Sequence, residues 1–126
     1  GTFVLGLGEN VQTTVQAGVN IEFDEQANEI QGTFVQNQNA DYVNVTVTQG
    51  SGVSDVRIRM NSTGSTFRMS TNGVDTSGGA AIYKAGTYKG TNITSSSVSD
   101  GSSYSFVVTG VAGEQQTVLS EPSGSL

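Results

Sequence analysis

Three asparagines stand in N-x-S/T frames: Asn44-Val45-Thr46, Asn61-Ser62-Thr63 and Asn92-Ile93-Thr94. The chemistry this spacing permits is N-linked glycosylation, which needs an exposed acceptor amide. Asn44 falls on the polar side of an alternating stretch, Asn61 begins a turn, and Asn92 lies in a Ser/Thr-rich connection, so all three are expected at the surface. A chain rich in Asn and Thr also acquires such triplets by chance, with no role attached.

Glu22, Asp24 and Glu25 cluster within four residues. On a strand, Glu22 and Asp24 share one face about 7 Å apart. Paired carboxylates serve glycoside hydrolysis or calcium binding. No Asp-rich loop of calcium-binding spacing accompanies them, and a solvated acidic edge that discourages unwanted strand pairing accounts for them more simply. The Gly6-Leu7-Gly8 run is not followed by the Lys-Ser/Thr of a phosphate loop. Serines and threonines abound, but the chain has no His to activate a nucleophile and no Cys to be one. Only a Ser–Lys pair through Lys84 or Lys89 remains formally available. No catalytic residue, cofactor-binding residue or metal ligand is assigned, and a non-enzymatic role is expected.

Arg57, Arg59 and Arg68 are expected on the wet faces of two successive strands. They pair across strands with nearby carboxylates, worth about 0–1 kcal/mol at an exposed surface, or they form a basic patch that meets the acidic edge of a neighbouring subunit.

The elements that hold these residues are short and alternate with period two, one face buried and one wet. In NIEFDE, Ile21 and Phe23 oppose Asn20, Glu22 and Asp24, with Val19 extending the apolar side. EIQGTFVQ turns Ile30 and Phe34 inward. YVNVTVTQ sets Val43, Val45 and Val47 against Tyr42, Asn44, Thr46 and Thr48. VRIRM and TFRMS bury Val56, Ile58 and Met60, then Phe67 and Met69. AAIYKAGTYK reads as a weaker strand pair or a bulged strand. YSFVVTG turns Tyr104, Phe106 and Val108 inward, and QQTVLSE ends the series with Val118 or Leu119 inward. Between them lie turn residues: QGSG, NSTG, TNG, SGG, SDGSS and AGE. About eight short strands at this spacing predict one antiparallel β-sandwich, immunoglobulin-like, over residues 17–126. The stretch 90–103 is expected as an ordered loop across one end, anchored by Ile93 and Val98. The single Pro122 is expected to mark the end of the last strand.

The 126 residues suit one domain, and their net charge of −6 makes the chain a poor candidate for binding phosphate backbones or anionic membrane surfaces. Only 13% of residues are charged, against about 25% in an ordinary domain, so solubility rests on Ser, Thr, Asn, Gln and Gly.

Residues 1–16 differ. Phe3, Leu7 and Val11 recur at intervals of four, and Val4 joins them at helical spacing. Gly1, Gly6 and Gly8 weaken such a helix in water but are tolerated where helices pack closely in lipid. The apolar run falls short of the ~20 residues of a membrane span. It reads either as an edge strand or tail, or as the stub of a longer hydrophobic helix whose earlier part lies upstream of Gly1.

GTFVLGLGENVQ resembles the stretch where the hydrophobic helix of haloarchaeal type IV pilins runs out into the globular domain, with Phe3, Leu5 and Leu7 closing the helix and Glu9 marking its exit to water. The rest is similar in layout: a first strand of the NIEFDE kind, YVNVTVT, an Asp100-Gly101 turn leading into YSFVVTG, and a last strand of the QQTVLSE kind. The resemblance implies a structural subunit of an extracellular, cell-surface pilus, a helical homo-oligomer assembled through hydrophobic helices. Phe3, Val4, Leu5, Leu7 and Val11 then form the outer end of the assembly seam. It further implies processing upstream of Gly1, contact with membrane only before assembly, frequent N-glycosylation, and adhesion to cells or abiotic surfaces in biofilms. The competing reading is a secreted carbohydrate- or surface-binding β-sandwich, which predicts a row of exposed aromatics. Tyr42, Tyr83, Tyr88 and Tyr104 form no legible row in the sequence.

Overall fold

The computed structural model of the chain describes residues 14–126. The expected assembly positions Phe3, Val4, Leu5, Leu7 and Val11 lie outside the described residues, as does most of the expected helical stub. Its last part, residues 14–16, carries no helix. Val15 is buried over Gly110, so packing of the β-domain begins two residues before the expected boundary at residue 17.

Twelve strands and no helix occur among the described residues: β1 (Ala17–Asp24), β2 (Glu29–Asn37), β3 (Tyr42–Gln49), β4 (Val56–Met60), β5 (Thr66–Ser70), β6 (Gly73–Ser77), β7 (Ala81–Lys84), β8 (Thr87–Gly90), β9 (Asn92–Ile93), β10 (Ser103–Ala112), β11 (Gln115–Ser120) and β12 (Ser123–Ser125). They form two antiparallel sheets. One runs β9-β6-β5-β2-β1; the other runs β11-β10-β3-β4-β7-β8, with β12 also on β10. The count exceeds the expected eight because AAIYKAGTYK forms a strand pair, one of its two expected readings, and because β6, β9 and β12 carry almost no apolar alternation. β6 follows the Thr71-Asn72 turn, β8 is the second arm of a hairpin, β9 has two residues, and β12 follows Pro122.

The turns are chemically specified. β7 and β8 are joined by Ala85 and Gly86, both at positive φ (50° and 81°), the primed geometry whose twist suits a two-residue hairpin. In the β1–β2 hairpin, Asp24 Oδ1 accepts the backbone N–H groups of Gln26 and Ala27 at 3.0 and 3.1 Å. Pro122 does interrupt the last strand, since it has no N–H for the ladder. Its carbonyl still accepts the Phe106 N–H at 2.9 Å, and the chain continues as β12 rather than ending. The expected 90–103 connection is ordered, with Ile93 and Val98 buried and the Val98 N–H bonded to the Ser70 carbonyl; it also contributes β9.

The core lies between the sheets. Val43, Val45, Val56, Ile58, Met60, Phe106 and Val108 face Ile30, Phe34, Phe67 and Met69 across it, all almost fully buried. Phe67 of one sheet and Phe106 of the other have ring centroids 6.4 Å apart. Each such side chain contributes roughly 1.5–3 kcal/mol by leaving water. Phe67 has room because Gly32 has no side chain: a Cβ there would stand 2.0 Å from the ring. Between Val118 and Leu119, it is Leu119 that packs inward; Val118 is exposed.

Antiparallel order sets two ends. Residues 14–16, the β2–β3 loop and the Gly113-Glu114 turn meet at one, tied by Asn39 to Thr14 and Gln16 and by Asp41 to Gly113. The β1–β2 hairpin, the 94–102 connection and the C-terminal Leu126 lie at the other.

Candidate functional site

Strict alternation in β4 decides where its arginines go. With Val56, Ile58 and Met60 committed to the core, Arg57 and Arg59 must stand on the outer face. β3 and β7 flank β4, and the register places Thr46, Arg57 and Tyr83 in one row and Asn44, Arg59 and Ala81 in the next. β8 adds Tyr88 opposite Tyr83. β10 adds Val107 opposite Thr46 and Thr109 opposite Asn44.

The result is an arginine–tyrosine ladder. The Arg59 guanidinium lies 4.2 Å from the Tyr42 ring centroid and 5.2 Å from that of Tyr83; Arg57 lies 4.6 Å from Tyr83. Tyr83 meets Tyr88 edge to face at 5.6 Å. Tyr88 is 61% exposed and is the open end of the ladder. Such cation–ring contacts are worth about 0.5–1 kcal/mol when exposed and about 2 when desolvated. A guanidinium set against an aromatic ring can still offer its terminal N–H groups to a carboxylate. Among the described residues neither arginine has a salt-bridge partner. Their buried Nε atoms, and Oδ1 of Asn44 beside them, lack hydrogen-bond partners.

Charge divides between the sheets. The strands of the seven-stranded sheet hold Arg57, Arg59, Lys84 and Lys89 and no carboxylate. Those of the five-stranded sheet hold Glu22, Asp24, Glu29 and Asp75 against Arg68.

Arg68 is therefore not part of a patch with Arg57 and Arg59; of the two readings the sequence left open, it takes cross-strand pairing with a carboxylate. β4 and β5 are successive in the chain but belong to different sheets, so their outer faces point opposite ways. Arg68 instead bonds Asp75 across the β5–β6 ladder at 3.0 Å, with both side chains roughly half exposed. The hydrogen bond to Asp75, then the charges of Asp75 and Glu29, hold its pKa above the ordinary guanidinium value.

Glu22 and Asp24 do share the outer side of β1, and Glu25 lies in the exposed hairpin loop. Asp24 is occupied as the turn cap. Asn61 and Asn92 are exposed as expected, but Asn44 is half-buried, because β3 is a central strand and Arg59 and Thr109 flank it. A Ser–Lys pair does form: Lys84 Nζ donates to Ser96 Oγ at 2.5 Å. Ser96 is 2% exposed, so the contact pins the 94–102 connection to β7 and offers no accessible nucleophile. Tyr104 is fully buried, and its hydroxyl accepts the Ser99 N–H at 2.8 Å.

Sequence reasoning placed Tyr42, Arg57 and Arg59 outward but missed the gathering of three tyrosines with two arginines. The alternation signalled which side each takes; nothing local signalled that β3, β4 and β7 are neighbours.

Compared with protein-family models, with curated proteins and with solved structures, the chain matches none.

Proposed function

We propose that the chain is the head domain and adjoining N-terminal stretch of a type IV pilin-like subunit, a structural component of an extracellular filament. The observation that carries this reading is GTFVLGLGENVQ joined to a β-rich head whose residues 14–16 are tied into one end of the two sheets. Whatever precedes Thr14 joins the head there, at the end opposite the β1–β2 hairpin. A hydrophobic stub at that end, helical in this reading, packs against its neighbours while the head coats the filament. Phe3, Val4, Leu5, Leu7 and Val11 supply the apolar seam. The β11-β10-β3-β4 order matches the G-F-C-C′ half of an immunoglobulin-like sandwich. The five-stranded sheet departs from it, because β5 and β6 enter beside β2 directly after β4. Adhesion to cells or abiotic surfaces is the role this reading gives the head. Electron microscopy of sheared filaments from the native source, with peptide identification, tests it: filaments built of this subunit are expected, and a monomeric secreted protein contradicts it.

One observation favours the carbohydrate- or surface-binding reading: Tyr42, Tyr83 and Tyr88 share a face. Against a sugar-stacking role, the guanidiniums of Arg59 and Arg57 lie over the rings of Tyr42 and Tyr83, leaving Tyr88 as the open platform. Loss of polysaccharide binding on Tyr88→Ala would favour this second reading.

A further inference from the structure

The division of charge between the two sheets has a geometric consequence. The outer face of the seven-stranded sheet presents two arginines with no carboxylate on any strand of that sheet. The outer side of the β1–β2 hairpin presents Glu22, Asp24 and Glu29, with Glu25 in the loop, and none of the four is in a salt bridge among the described residues. These surfaces belong to opposite sheets, so one molecule cannot bring its own two together.

We propose that the Arg57/Arg59 face of one copy docks the acidic β1–β2 hairpin side of a second copy. The inference rests on the filament reading and names the contact between heads that such a filament uses. The two surfaces are complementary in charge. Each guanidinium carbon lies close to a tyrosine ring centroid, at 4.6 Å for Arg57 and 4.2 Å for Arg59, so each arginine is positioned on the sheet before a partner arrives. A carboxylate then completes a charge-assisted fork with little ordering of the arginine. Glu22 is exposed on the hairpin's outer side and Glu25 is exposed in its loop, as the matching acceptors. Because the two patches differ, the contact is heterologous, and a heterologous contact that does not close into a ring propagates as a helical array. An isologous dimer would instead set like charges against one another.

The chain has no native cysteine, so single thiols map the contact. Thr46→Cys marks the basic face beside Arg57, and Gln31→Cys marks the acidic side opposite Glu22. The two variants of the 126-residue chain are mixed at high concentration with a bifunctional thiol crosslinker. The Thr46–Gln31 heterodimer is expected to exceed both homodimers. Arg57→Glu with Arg59→Glu in the Thr46 copy should abolish that excess. Glu22→Arg with Glu25→Arg in the Gln31 copy should restore it, which a merely misfolded variant cannot do. Sedimentation of the parent chain should show weak self-association that falls about tenfold for Arg57→Gln with Arg59→Gln, in keeping with two partly exposed ion pairs.

A statistical mixture of crosslinked products, indifferent to the charge changes, overturns the proposal. So does a chain that stays monomeric while the Arg57/Arg59 face binds an acidic polysaccharide such as alginate. Native filaments whose heads do not crosslink in this pattern leave the filament reading standing and remove this contact. Specific crosslinking by a subunit that forms no filament does the reverse.

Discussion

The guanidinium of Arg59 lies 4.2 Å over the ring of Tyr42, joining the central strand β3 to β4 on a face with no acidic strand residue. A cation half-withdrawn from water, with aromatic rings in place of a counter-ion, is the distinguishing feature of that face.

That contact should be measurable as a coupling. Tyr42→Phe keeps the ring and is expected to leave stability nearly unchanged. Tyr42→Ala and Arg59→Ala should each destabilise, and their double-mutant cycle by urea unfolding should return about 0.5–1 kcal/mol of interaction. A coupling near zero would mean that the stacking contributes nothing to the fold.

A second expectation concerns Gly32. Its absent side chain is filled by the ring of Phe67, which would lie 2.0 Å from an added Cβ. Gly32→Ala should therefore cost about 1–3 kcal/mol through overpacking. The loss of melting temperature is of order 10 °C for a domain of this size. Adding Phe67→Leu should recover part of that loss, although Phe67→Leu alone destabilises. Thermal melts by circular dichroism check both.

Much of this architecture is legible in the sequence. Val43, Val45 and Val47, the Val56-Ile58-Met60 trio, and Phe67 with Met69 all sit where period-two alternation places them, because one buried face leaves a strand no other register. β6, β9 and β12 were not legible. Each offers at most one apolar residue, and each pairs because a neighbouring strand has an open edge rather than because of its own pattern. The candidate face was half legible. Arg57 and Arg59 were outward by alternation, but their separation from Arg68 depends on the chain crossing between sheets at residues 61–65, which no local residue announces. Asn44 misled for a related reason: the polar side of a central strand is still flanked by two neighbours.

The pH response follows from composition and from one ion pair. The chain has no His and no Cys, so no side-chain type present changes charge at its ordinary pKa between about pH 5 and 9. Arg68 has a folded pKa raised chiefly by its hydrogen bond to Asp75. A raised pKa gives stability that is fully present below the unfolded value and is lost only as pH rises through the folded one. That window is strongly alkaline. The melting temperature should therefore stay flat from about pH 6 to 8. Arg68→Gln, at an exposed pair, should change it far less than Gly32→Ala. A pronounced slope across neutrality would contradict this.

Glycan placement separates the three sequons. Asn61 and Asn92 are exposed, whereas Asn44 is half-buried between Arg59 and Thr109. Peptide mapping of native protein should find modification at Asn61 or Asn92 and an unmodified Asn44. Glycan at Asn44, or a bare mass at all three, would contradict that order.

The central claim, assembly through the N-terminal apolar stretch, is tested most directly by electron microscopy of cells expressing the full-length subunit with Leu5→Gln and Leu7→Gln. Each polar side chain would be buried against neighbouring subunits at about 1–3 kcal/mol, a cost repeated at every subunit. The account predicts that filaments disappear while the 126-residue chain carrying the same two changes melts within a few degrees of its parent. Normal filaments from the double variant, or a collapse in the melting temperature when the same changes are made in the 126-residue chain, would contradict it.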